Sequence, residues 1–88
     1  MSKLGLDELV MIRSRCERAT LGPWRSVIEG RDQTSGSSFI MVGEGEERRG
    51  DMEISGASNE DLEFIAHARS DVPLLVDEVL RLRRLYEA

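Results

Sequence analysis

The sequence predicts an α+β domain in which a three-stranded antiparallel sheet packs on N- and C-terminal helices, in the order α-β-β-β-α-α. Three observations predict it. Apolar residues recur at three- and four-residue steps near both ends, in residues 6–19 and 58–86. Between them lie three short β-branched or alternating runs, residues 24–29, 37–42 and 51–55. Turn-forming segments separate these pieces, and a sheet with one apolar face needs a cover that amphipathic helices supply.

In the first helix Leu6, Leu9, Val10, Ile12, Cys16 and Ala19 keep helical spacing. Asp7 and Glu8 stand in its first turn and Arg13, Arg15 and Arg18 in later ones, which matches the helix dipole. Cys16 falls on the apolar arc and reads as a small buried hydrophobe. Gly22-Pro23 stops the helix, because the residue before proline is pushed to extended geometry. Residues 24–29 form a first strand, residues 30–36 a turn-rich tip, and Phe39-Ile40-Met41-Val42 closes the strongest strand signal in the chain. The connector at residues 43–50 is flexible by composition. Asp51-Met52-Glu53-Ile54-Ser55 then alternates as a short edge strand with Met52 and Ile54 toward the helices.

Ser58-Asn59-Glu60-Asp61 has the Ser-x-x-acid form of a helix start. Leu62, Ile65, Ala66 and Arg69 follow at helical steps, with Phe64 and Ala68 widening the stripe. Ser70-Asp71-Val72-Pro73 reads as a second start, since proline is tolerated in a first turn, so a break near Ser70 and a separate last helix are predicted. That helix would turn Val72, Leu75, Val76, Val79, Leu82 and Tyr86 to the core. Leu74 and Leu85 lie roughly opposite, beside Arg81, and mark a second contact surface. Glu78 and Arg81 are spaced as an ion pair, and Arg81, Arg83 and Arg84 sit near the negative helix end, where each contributes about 0.3–1 kcal/mol.

At 88 residues the chain is one domain, residues 1–88, near the lower limit for an independent core. Extra buried area from self-association is therefore expected, as a dimer or higher homo-oligomer. The net charge of -5 argues against non-specific nucleic-acid binding, which depends on neutralising phosphates. One cysteine excludes an internal disulfide or a zinc cluster, and the opening residues lack a signal-peptide run. The expectation is a cytoplasmic protein that does not enter membranes.

Catalytic and metal chemistry find little support. His67 is the only histidine and has no cysteine or second histidine to join it. Glu60, Asp61 and Glu63 with Asp51 or Glu53 would make an acidic group, but acids at a helix start have a capping role. Gly43-Glu44-Gly45 lacks the lysine of a phosphate loop and is followed by Glu46 and Glu47. The chain is read as a non-enzyme without a cofactor. The stretch with binding chemistry is residues 30–38. Arg31 brings a forked cation, Gly30 and Gly36 free the backbone to aim N-H groups, and Thr34, Ser35, Ser37 and Ser38 are hydroxyl donors. Arg25 and Arg48 would support them, and Trp24 or Phe39 would stack on a base. This set suits an anionic small molecule.

Three stretches carry a resemblance: Ala19-Thr20-Leu21-Gly22-Pro23-Trp24 after the first helix, the hairpin from Gly30-Arg31-Asp32 to Phe39-Ile40, and Asp61-Leu62-Glu63-Phe64-Ile65-Ala66-His67-Ala68-Arg69 with Asp71-Val72-Pro73. Over most of its length the chain resembles a group of small uncharacterised proteins encoded by bacteria and their phages. The resemblance implies a phage or mobile-element setting, with the host cytoplasm as location, where small oligomeric proteins bind and neutralise a host component. One such class soaks up cyclic or ADP-ribose-type signalling nucleotides. The expected function is thus sequestration of a host immune signalling nucleotide without catalysis, an anti-defence role. The alternative is a protein-interaction module that docks on a host defence or regulatory protein through Leu74, Leu85 and Arg81.

Overall fold

The computed structural model describes residues 4–34 and 36–87, and its elements run α1 (Leu6–Arg18), β1 (Trp24–Val27), β2 (Phe39–Val42), β3 (Gly50–Met52) and α2 (Asn59–Glu87). A single 3-10 turn at Gly45–Glu47 lies between β2 and β3. The arrangement is α+β. The strands form an antiparallel meander in the order β1-β2-β3, with Trp24 opposite Val42, Ser26 opposite Ile40 and Ile40 opposite Met52. Strand alternation places these residues on one face, which meets Leu62 and Ala66 of α2, and Ile28 completes the cluster. Met52 and Ile54 are half-buried against that core while Asp51 and Glu53 are exposed, as the alternation predicts.

The start of α2 is a reciprocal cap. Ser58 Oγ accepts from the Asp61 N-H at 3.1 Å and Asp61 Oδ2 accepts from the Ser58 N-H at 3.0 Å, so two donors that the helix cannot use are satisfied. No break follows near Ser70. The α-α close of the sequence reading is replaced by one helix of 29 residues with Pro73 inside it. Proline removes its own N-H from the ladder and crowds the carbonyl four residues back, and a continuous in-chain arc, Leu62, Ala66, Arg69, Pro73, Val76 and Leu80, runs past it at steps of four and three and offsets that cost by holding both halves together.

That arc also corrects the predicted core side. Val76 is buried and Val72 and Val79 are half-buried, but Leu75 is 62 % exposed and Tyr86 88 %, with Leu82 exposed as well. In α1 only Leu9 is buried, Ile12, Cys16 and Ala19 are half-buried, and Leu6 and Val10 face outward. The two helices run antiparallel, since Arg13 pairs with Asp77 at 2.6 Å, Arg69 Nε donates to the Thr20 carbonyl at 2.9 Å, and Arg83 donates to the Leu4 carbonyl. The molecule is long, 54 × 33 × 18 Å, with a radius of gyration of 16.2 Å. A well-rounded chain of this length would have about 12 Å.

Candidate functional site

The loop between β1 and β2 folds back on itself. Asp32 Oδ2 accepts from the Ile28 N-H at 2.8 Å, the Ile28 carbonyl accepts from Arg31 and Asp32, Gly30 N-H donates to Gln33, and Glu29 N-H donates to Ser38 Oγ at 3.0 Å. Gly30 and Gly36 take positive φ, 87° and 96°, which makes the reversals possible. Five successive N-H groups, residues 28–32, are therefore spent inside the loop and do not point into a concavity.

Arg31 is committed in the same way. Its Nε and NH2 donate to Asp32 Oδ2 at 3.0 and 2.7 Å, and its NH1 lies 2.6 Å from Glu63 Oε1 on α2. Glu63 Oε1 also accepts from the hydroxyl of buried Ser26 at 2.7 Å, and His67 Nε2 stands 3.6 Å from the other oxygen. The bonds to Asp32 and then Glu63 push the Arg31 guanidinium further above its ordinary range. Asp32 is held below the usual carboxylate range by Arg31 and the Ile28 N-H, and Glu63 by the Ser26 hydroxyl and then Arg31. The group is a latch that ties the hairpin tip to α2. Two carboxylates already balance its cation, so an incoming anion would have to displace them.

The other residues of the predicted cradle are divided between the two ends of the sheet. Trp24 opposite Val42 lies at the end where the Arg48 connector leaves β2, whereas Arg31, Thr34, Gly36 and Ser37 belong to the loop at the Val27–Phe39 end. A strand of four residues separates them by about 13 Å. Arg48 pairs with Asp51 at 2.5 Å. Arg25 is exposed and near enough to Asp32 to lower its pKa, and Thr34, Gly36 and Ser37 are exposed. Ser35 lies outside the described residues. Ser26, Asp32 and Glu63, which organise the loop, carried no sequence signal as a set. Among the described residues no group of three or more His, Cys, Asp or Glu is placed to hold a metal ion, and no helix is long and apolar enough to cross a membrane.

A different surface stands out on α2. Phe64 is 75 % exposed, and it continues through Ala68, Leu75, Leu82 and Tyr86 as a line beside the in-chain arc, with Ile65, Val72 and Val79 half-covered along its edge. Small Ala68 leaves hollows on both flanks. One, of about 470 Å³, lies among Phe64, His67, Asp71, Val72 and Leu75, and the other, of about 320 Å³, runs toward α1 past Trp24, Ile12 and Ala19. The predicted interface residues Leu74 and Leu85 are also exposed, on the far side of the helix, and Arg81 there pairs with Glu78 at 2.6 Å. Spacing held a signal for the first surface, because residues 65, 68, 72, 75, 79, 82 and 86 alternate steps of three and four.

No family model, curated protein or solved structure matches the chain.

Proposed function

We propose that this chain is a protein-interaction module that docks through the apolar face of α2 and performs no chemistry. One observation carries the reading: a line of large apolar side chains, Phe64, Leu75 and Tyr86 among them, lies open to solvent along a helix fixed at its other face. Continuous exposed apolar surface on a small protein is costly and marks a contact site. The phage resemblance supports a host regulatory or defence protein as a partner, with Leu74, Leu85 and Arg81 offering a second surface on the same helix. Sequestering an anionic nucleotide ranks below this, because Arg31 is engaged by Asp32 and Glu63.

A photo-crosslinking residue in place of Leu75 tests the reading in cells, with the same residue at exposed Glu53 as control. Adducts at position 75 that are absent at position 53 support it, whatever their mass. Equal labelling at both positions removes it. Titration calorimetry with cyclic dinucleotides, wild type against Arg31→Ala, tests the lower-ranked reading, and heat lost in the variant would restore the loop as a site.

A further inference from the structure

We infer that one occupant of this face is a second copy of the chain, with the two α2 helices side by side in parallel, an inference that rests on reading α2 as the docking surface. The exposed line is a heptad seam. Ile65, Val72 and Val79 hold the first position of the repeat, with Tyr86 after them, and Ala68, Leu75 and Leu82 hold the fourth. β-Branched residues at the first position and leucine at the fourth favour two parallel strands over higher assemblies, because each side chain then seats in a hole made by four residues of the facing helix. The hollow among Phe64, Ala68, Val72 and Leu75 is lined by α2 alone and can serve as such a hole, whereas the one on the other flank of Ala68 is shared with α1 and Trp24.

Charge selects the orientation. The seam is flanked on one edge by Asp71 and Glu78, the latter shared with Arg81 of its own helix, and on the other by Arg69 and Arg83. Each arginine uses a donor on a carbonyl beside α1, Thr20 for Arg69 and Leu4 for Arg83, which fixes it at that edge with further N-H groups to offer. Parallel helices in register bring Glu78 of each copy to Arg83 of the other, and the two-fold axis repeats that pair. Antiparallel helices would set acidic edge on acidic edge. The core contact of the sheet is on Leu62 and Ala66, on an arc of α2 turned away from Leu75 and Leu82, and Trp24 at the start of β1 comes near the seam beside Ala68.

Sedimentation equilibrium and light scattering of the full chain decide the stoichiometry, with twice the 9.9 kDa chain mass expected. Leu75→Glu places two like charges in the seam and should weaken dimerisation roughly a hundredfold or more. Because Leu75 is exposed in the single chain, far-UV circular dichroism should stay unchanged. Orientation is read from Leu82→Cys in a Cys16→Ser background, where mild oxidation should give a disulfide-linked dimer, since equivalent fourth positions face each other only in the parallel pair. A wild-type chain that stays monomeric at high micromolar concentration overturns the inference, while adducts to other proteins at position 75 would leave the interaction reading standing. A dimer that survives Leu75→Glu overturns the seam, and one in which Leu82→Cys forms no crosslink overturns its parallel sense.

Discussion

Gly43 offers a sharp test of how the sheet turns from β2 into β3. It has φ +81°, its N-H donates to the Pro23 carbonyl at 2.8 Å, and it is buried. A methyl group added there would overlap the Glu47 carbonyl oxygen and stand 3.0 Å from its carbon and 3.1 Å from Arg48 Cα. All three are backbone atoms of a turn pinned by Glu47 N-H to Glu44, Arg48 N-H to Gly45 and Arg49 N-H to Val42. Gly43→Ala therefore meets the left-handed penalty of an L residue, about 1–2 kcal/mol, and a displacement of packed backbone worth about 1–3 kcal/mol more. Gly45 is the control, because its φ is +54° but nothing lies within 4 Å of an added methyl. Both variants share the gain of about 0.4–1 kcal/mol from a stiffer unfolded chain. Their difference isolates the overlap. Urea unfolding followed by the fluorescence of Trp24, the only tryptophan, should place Gly43→Ala about 1–3 kcal/mol below Gly45→Ala. Equal midpoints would refute the close approach of Gly43 to the Glu47–Arg48 backbone.

Three further outcomes follow from the same contacts. Leu62→Ala empties a site that is 2 % exposed and should cost about 2–5 kcal/mol in urea unfolding, and a loss under about 1 kcal/mol would mean that α2 does not rest on Ile40 and Val42 as described. Ser58→Ala should cost about 1 kcal/mol by removing the acceptor for the Asp61 N-H, and Ser58→Thr should recover most of it. Acid should loosen the latch between the hairpin tip and α2: Glu63 and Asp32 are depressed below their ordinary 4.5 and 3.8 in the folded chain, so their contribution is complete above those values and is lost as pH falls through the folded ones. Urea midpoints measured from pH 7 to pH 3 should fall less for Glu63→Gln than for wild type, and parallel curves would remove Glu63 from the latch.

How much of this was legible depends on distance along the chain. The three strands and the Ser58 cap come from neighbours in sequence, alternation in one case and a three-residue reach in the other; the cap is where the sequence puts it, and the strands are there in order but shorter, the third pairing at Gly50–Met52 and leaving Glu53, Ile54 and Ser55 outside the ladder. The single long α2 was not legible, because Ser-Asp-Val-Pro signals a start only if nothing upstream holds the helix, and Leu62 and Ala66 do hold it. The apolar stripe was visible but its buried edge was not: Val76 and Leu75 are adjacent, and only the position of α1 decides which one is covered. Arg31 shows the same limit more plainly. Its loop looks like an anion cradle to local reasoning, while the partner that engages it, Glu63, lies 32 positions later on another element.

The length of α2 explains why the molecule keeps an open seam. Twenty-nine residues make a rod of about 43 Å, at 1.5 Å per residue. The covers that the chain carries are shorter: α1, with 13 residues, reaches about 20 Å, and strands of three or four residues span about 10–13 Å. Each also meets α2 along one arc only. A helix that served the in-chain core alone would gain nothing from apolar residues on a second arc, and exposed positions there would be cheaper as Lys or Glu. Ala68, Leu75 and Leu82 hold that arc at heptad spacing past the sheet and along the length where α1 lies. Replacing Leu82 with lysine thus separates two accounts of the surplus. If the seam is packed in an assembly, the variant loses stability in step with protein concentration. If it is bare, stability is unchanged at every concentration.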